Sequence, residues 1–120
     1  MAKGYWVAQV DVSDPEAYKA YVAANQAPFH EYGARFLVRA GQHQPVEGRC
    51  RSRLIVIEFP DYATALACYH SPEYQDAMKL RLPCAVADVA VVEGYDGRAA
   101  VGLIEPAARP GSVLRSLPAP

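Results

Sequence analysis

Apolar positions recur along this chain with a period near two in some stretches and of about 3.6 in others, and the alternation of the two outlines a fold. Residues 3–12 set Tyr5, Trp6, Val7, Val10 and Val12 in rough alternation with other residues. That is a β-strand pattern, rich in aromatic and β-branched side chains. The period lengthens after Ser13, where Asp14, Pro15 and Glu16 supply a cap, a first-turn proline and an N-terminal acid. Tyr18, Tyr21, Val22, Phe29 and Tyr32 then share one helical face, which predicts a helix over 15–32. Pro28 is expected to kink or end it near Gln26 or Ala27, and Gly33 to stop it.

Strand character returns over 35–40 and, more strongly, over 53–59, with a polar loop through Gly41, Pro45 and Gly48 between them. Pro60 and Asp61 close the second of these and cap a helix over 62–69. Ser71 and Pro72 open another that reaches about Leu82. A bend is expected near His70, because the residue before a proline is pushed out of helical geometry. Residues 88–94 form the last predicted strand. The order is βαββαβ, the split arrangement of a ferredoxin-like α+β sandwich with a four-stranded antiparallel sheet. This domain is expected over 1–97. Residues 98–120, rich in Pro, Gly and Ala, then form a C-terminal arm whose Leu103, Ile104, Val113, Leu114 and Leu117 suit packing on a protein surface.

Both helices of such a sandwich cover one sheet face. Period two puts Trp6, Val10, Phe36, Val38, Ile55 and Ile57 on one face and Tyr5, Val7, Leu37, Leu54 and Val56 on the other. Both sets are mainly apolar, and soluble monomers rarely expose such a patch. A homodimer through the bare sheet face is the simplest cover, and a pocket between the two sheets is the expected ligand site.

Composition narrows the function. The 120 residues fit one domain, and 52% hydrophobic with 21% charged residues fits a globular protein. A formal charge of −1 argues against nucleic acid as the main partner. No stretch approaches the ~20 apolar residues of a membrane span, and the N-terminus lacks a signal core, so a cytoplasmic protein is expected. Cys50, Cys68 and Cys84 match neither a disulfide framework nor a zinc pattern, so neither disulfide nor metal is expected. There is no Gly-rich phosphate loop, nucleophile elbow or Cys–His motif, and no cofactor is expected.

Several blocks together resemble one family. They are Gly4-Tyr5-Trp6, Asp14-Pro15-Glu16-Ala17-Tyr18, Gly33-Ala34-Arg35-Phe36-Leu37-Val38-Arg39, Val56-Ile57-Glu58-Phe59-Pro60 and Tyr69-His70-Ser71-Pro72-Glu73-Tyr74-Gln75. The family is a bacterial one of small proteins of unknown function within the dimeric α+β barrel superfamily. The resemblance runs from about Lys3 to Gly94 and implies the ferredoxin-like fold and a face-to-face dimer. It implies no activity, since relatives in that superfamily include cofactor-independent monooxygenases, haem-degrading monooxygenases, lactone isomerases and stress-induced proteins. The Asn, Trp and His types used in haem degradation are present as Asn25, Trp6 and His70, but on elements that do not match that pattern.

Five residues are candidates for chemistry. Arg39 and Glu58 interrupt apolar strands, and alternation places both on the partner-facing side. There Arg39 would hold a carboxylate or enolate, and Glu58, raised in pKa by apolar surroundings, would move protons. Mutual pairing, or pairing with Arg35, is the structural alternative. His70, at a helix junction, is a second acid or base, or simply a helix-terminal side chain. Asn25 lies on the apolar stripe of the first helix and would bind a ligand or tie helix to strand; Tyr5 would line an aromatic pocket. The function expected is the binding of a hydrophobic small molecule, with or without cofactor-independent oxygenase or isomerase chemistry. The alternative is a non-catalytic structural or stress-related dimer without a ligand.

Overall fold

A computed structural model describes residues 2–96 as four strands and four helical segments. In chain order they are β1 (Gly4–Val12), α1 (Pro15–Ala24), α2 (Gln26–Glu31), β2 (Arg35–Arg39), β3 (Arg53–Phe59), α3 (Tyr62–His70), α4 (Pro72–Arg81) and β4 (Ala85–Glu93). The arm expected over 98–120 lies outside the described residues. The sheet order is β2-β3-β1-β4 with every neighbouring pair antiparallel. This is the split βαβ topology of a ferredoxin-like α+β fold. No described helix is long and apolar enough to cross a membrane.

Short polar side chains set the helix starts. Asp14 accepts from the Ala17 amide at 3.1 Å, Asp61 from Thr64 at 2.7 Å and Ser71 from Tyr74 at 3.2 Å, each meeting an amide that the first turn leaves unpaired. The long first helix breaks at Asn25, just before the Gln26 or Ala27 position expected. Asn25 ends α1 and opens α2, so Pro28 falls in the first turn of α2, where its missing N–H is not needed. Strand β4 begins at Ala85, three residues earlier than expected, because its alanines opposite β1 carry little β signal. Gly4 is required where the chain passes under α3: a Cβ there would sit 2.7 Å from Tyr62 Cα.

Side chains from α3 and α4 meet the sheet through one aromatic cluster. Trp6 is its centre, with ring centroids of Phe29, Phe59, Tyr69 and Tyr74 at 4.8–5.7 Å, and its Nε1 donates to the Ala65 carbonyl at 2.8 Å.

The register corrects one expectation. Phe36 opposes Ile57, but Val38 opposes Val56 and Arg39 opposes Ile55, so a bulge at Leu37 reverses the alternation within β2. Val38 therefore lies on the bare face and Arg39 on the helix-covered face, the reverse of the even-period assignment. Across the bare face runs an apolar row, Val38–Val56–Val7–Ala90, drawn from all four strands. At one end of that face Arg51 grips Asp11 at 2.9 Å and Asp88 at 2.8 Å, fixing the loop before β3.

Candidate functional site

The helix layer does not lie evenly on the sheet. Helix α3 packs on β1, β3 and β4, whereas α1 packs mainly on α4 and stands off the strands. A cavity of about 620 Å³ occupies the space beneath α1. The strands supply its floor through Trp6, Val10, Ile55 and Ile57, and α1, α2 and α4 supply its walls through Tyr21, Phe29 and Tyr74. It lies on the helix side of the sheet within one subunit, not on the face where a pocket between two sheets was expected.

Polar groups interrupt this apolar lining. The Tyr21 and Tyr74 hydroxyls share a hydrogen bond of 2.8 Å. Burial raises the Tyr74 pKa far above its ordinary value, and Tyr21 adds to the effect, so the hydroxyl keeps its proton. Burial likewise raises Tyr18. Arg81, only 6% exposed, places its guanidinium 5.5 Å from the centre of the Tyr21 ring. Burial opposes its charge, but the Tyr74 and Tyr21 hydroxyls outweigh burial and raise its pKa above the ordinary arginine value. Asn25 is also 6% exposed and lines the cavity. Its backbone serves both helices, while its side-chain amide makes no hydrogen bond to any described residue. Arg39 and Arg53 also line the cavity, over the Phe36 ring at 4.3 Å and the Tyr18 ring at 5.4 Å. Among the described residues no carboxylate or imidazole lines it.

The five expected site residues therefore separate. Arg39 and Asn25 reach the cavity. Glu58 and Tyr5 lie on the opposite sheet face, where Glu58 accepts from the Tyr5 hydroxyl at 3.5 Å and sits 3.8 Å from Arg35 Nε. Arg39 and Glu58 thus do not share a face, and Glu58 has Arg35 as its cation. His70 is exposed at the end of α3 with its ring edge-on to Tyr69. Of the three free thiols, that of Cys68 is pushed up to about 12 by burial, with a contribution from Glu31, which makes it a core group and not a nucleophile.

Residues 3–95 match a family model described as a domain of unknown function, DUF1330. The chain belongs to the DUF1330 family. No curated protein matches it. Among solved structures, this DUF1330 chain is similar to RPA0582 of Rhodopseudomonas palustris, a protein of unknown function, at 17% identity and a TM-score of 0.62, covering 79% of this chain and 84% of that one. It is also similar to SnoaB of Streptomyces nogalater, a cofactor-independent oxygenase, at 10% identity and a TM-score of 0.55, over 80% and 96% of the two chains. An ethyl tert-butyl ether d (ethd) family protein of Bacillus halodurans aligns at 12% identity and a TM-score of 0.50, over 79% and 100%. At these identities the likeness is one of fold alone, the ferredoxin-like α+β arrangement described above.

Two arginines of this cavity were not among the expected residues. Arg81 follows Tyr74 by seven residues, two helical turns along the buried stripe that also holds Ala77. That spacing was the available signal, but a basic residue in the last turn of a helix is also what the helix dipole favours. Arg53 opens β3 on the same face as Ile55 and Ile57, so alternation alone places it toward the helices.

Proposed function

We propose that this protein is a homodimer whose subunits each bind an apolar small molecule in the cavity between α1 and the sheet. The observation that carries this reading is the buried Asn25 amide, without a hydrogen bond to any described residue, in the wall of an apolar hole. A buried polar group without a partner costs about 1–3 kcal/mol, and a ligand carbonyl or hydroxyl would remove that cost. The volume suits the purpose, since ligand pockets commonly span about 300–1,000 Å³. The apolar row on the bare sheet face supports the dimer, which leaves both cavities on the outer, helix-covered sides.

The wall chemistry favours holding and polarising a ligand over taking a proton from it. Its polar groups are cations, hydroxyls and an amide, while Glu58 and His70 stand elsewhere. Oxygenase or isomerase chemistry without a cofactor would here need a substrate that arrives ionised or gives its proton to water. Arg81 and the tyrosine pair would then stabilise the resulting anion.

The neutral fluorophore N-phenyl-1-naphthylamine tests the cavity. Trp6, the one tryptophan in the sequence, is part of the lining, so occupancy is read as energy transfer from it. Saturable transfer in the wild type, lost in Val22→Phe with an unchanged circular dichroism spectrum, is expected. No saturable binding would favour the ligand-free structural dimer.

A further inference from the structure

The charge inventory of the cavity identifies its ligand more closely. Arg81 is buried, and the ion pairs formed among the described residues belong to other cations: Lys19, Arg35, Arg51 and Lys79. Arg81 therefore has no carboxylate there. A buried charge is ordinarily paired, because the low dielectric that makes isolation costly also makes an opposite charge strongly favourable. Here the neighbours are neutral tyrosine hydroxyls, and no acid among the described residues lines the cavity to take the role.

Of the other cations that line the cavity, the exposed Lys19 pairs with Glu16, while Arg39 and Arg53 have no ion pair among the described residues. Arg39 opposes Ile55, and Arg53 lies two residues before Ile55 on the same face, so both belong to one end of the cavity floor. Arg53 lies over the Tyr18 ring, Tyr18 packs on Tyr21 at 5.3 Å, and Arg81 lies 5.5 Å from the Tyr21 ring, which places Arg81 at that end as well. Arg39 is exposed and Arg53 half-buried, so water reaches these two, while Arg81 is the desolvated one. Away from them the lining is the aromatic and aliphatic surface of Trp6, Phe29, Phe36 and Ile57.

We propose that the ligand is an apolar monocarboxylate whose carboxylate is the missing counter-ion of Arg81, with its hydrocarbon body on Trp6 and Phe29. The proposal rests on the ligand-binding reading above and names the class of molecule. One desolvated guanidinium calls for one desolvated negative charge, and its planar donor fork matches the two oxygens of a carboxylate. Arg53 and Arg39, at the wetter end, draw the anion in and stay hydrated. A dianion such as a phosphate monoester would bring a second charge into a wall with only one buried cation.

Matched probes test this first in the wild type and then in two variants. Adamantane-1-carboxylate and decanoate do not absorb where Trp6 does, and each has a primary carboxamide of nearly equal shape but no charge. Titrations followed by Trp6 emission at pH 7 should show each carboxylate binding about tenfold or more tighter than its amide, as expected when a charge-assisted bond replaces a neutral one. In Arg81→Met the preference should vanish while the amides still bind; in Arg53→Gln, which keeps the buried cation, it should persist in weakened form. Amides that bind as well as the acids in the wild type, or a preference that survives Arg81→Met, would overturn the proposal and leave the cavity reading intact. Failure of acids, amides and the neutral naphthylamine alike would overturn both.

Discussion

The hydroxyls of Tyr21 and Tyr74 lie 2.8 Å apart and join α1 to α4 above the cavity. Helix α1 stands off the sheet, so this bond and the aromatic contacts around it hold the roof in place. Both side chains are buried, and removing either hydroxyl leaves the other with Arg81 alone as its neighbour. Tyr21→Phe and Tyr74→Phe should each lower stability by about 1–2 kcal/mol, and the double variant by clearly less than their sum. Urea unfolding of the four proteins measures this. Additivity within about 0.5 kcal/mol would show that the pair does not act as a unit.

Asn25 should trade stability against binding. Its backbone lies in the ordinary right-handed region, which leucine adopts without strain, and its amide has no partner among the described residues. Asn25→Leu should therefore stabilise the ligand-free protein by about 1 kcal/mol, a rise of roughly 4–8 °C in melting temperature for a domain of this size. The same change should weaken ligands that offer a carbonyl or hydroxyl. A fall in melting temperature would mean that the amide is satisfied in the free protein.

Much of the fold was legible because caps and periods agree. Asp14, Asp61 and Ser71 each announce a helix that they do cap, and the alternation in β1 and β3 gives the correct faces. The candidate site was less legible, and β2 shows why. Phe36, Leu37 and Val38 are three apolar residues in a five-residue strand, so alternation cannot reveal which one is bulged, and Arg39 moves to the other face with the answer. The cavity depends on how far α1 stands from the sheet, a packing property that no local pattern encodes. Arg81 was concealed differently: on the sequence it is a helix-terminal base among exposed neighbours, and only the stripe it shares with Tyr74 marks it as buried.

Two aspartates should govern the acid limb of stability. The Thr64 side chain and amide hold Asp61 below its ordinary pKa of 3.8, and the Ser52 amide with the Arg51 side chain does the same for Asp11. The folded protein binds these protons less readily than the unfolded chain. Their stabilisation is complete above the ordinary value and is lost as pH falls through the lower folded values. Asp61→Asn keeps a capping oxygen without the charge. It should melt below the wild type at pH 7, with the gap closing toward pH 2. A gap independent of pH would remove Asp61 from the acid response.

The dimer is tested at the centre of the bare face. Val7 opposes both Val56 and Ala90, and Val38 lies beyond Val56. Val7 is 43% exposed in the single subunit, so a lysine there can reach water in a monomer and costs the fold little. In a face-to-face dimer the same lysine would be buried against apolar surface without a partner, at a cost that the interface cannot absorb. The wild type should therefore sediment at twice the 13.1 kDa chain mass, with a melting temperature that rises with protein concentration. Val7→Lys should sediment as a folded single chain whose melting temperature is independent of concentration. A wild type at the mass of one chain, or a lysine variant that still pairs, would place the subunit contact on another surface or remove it.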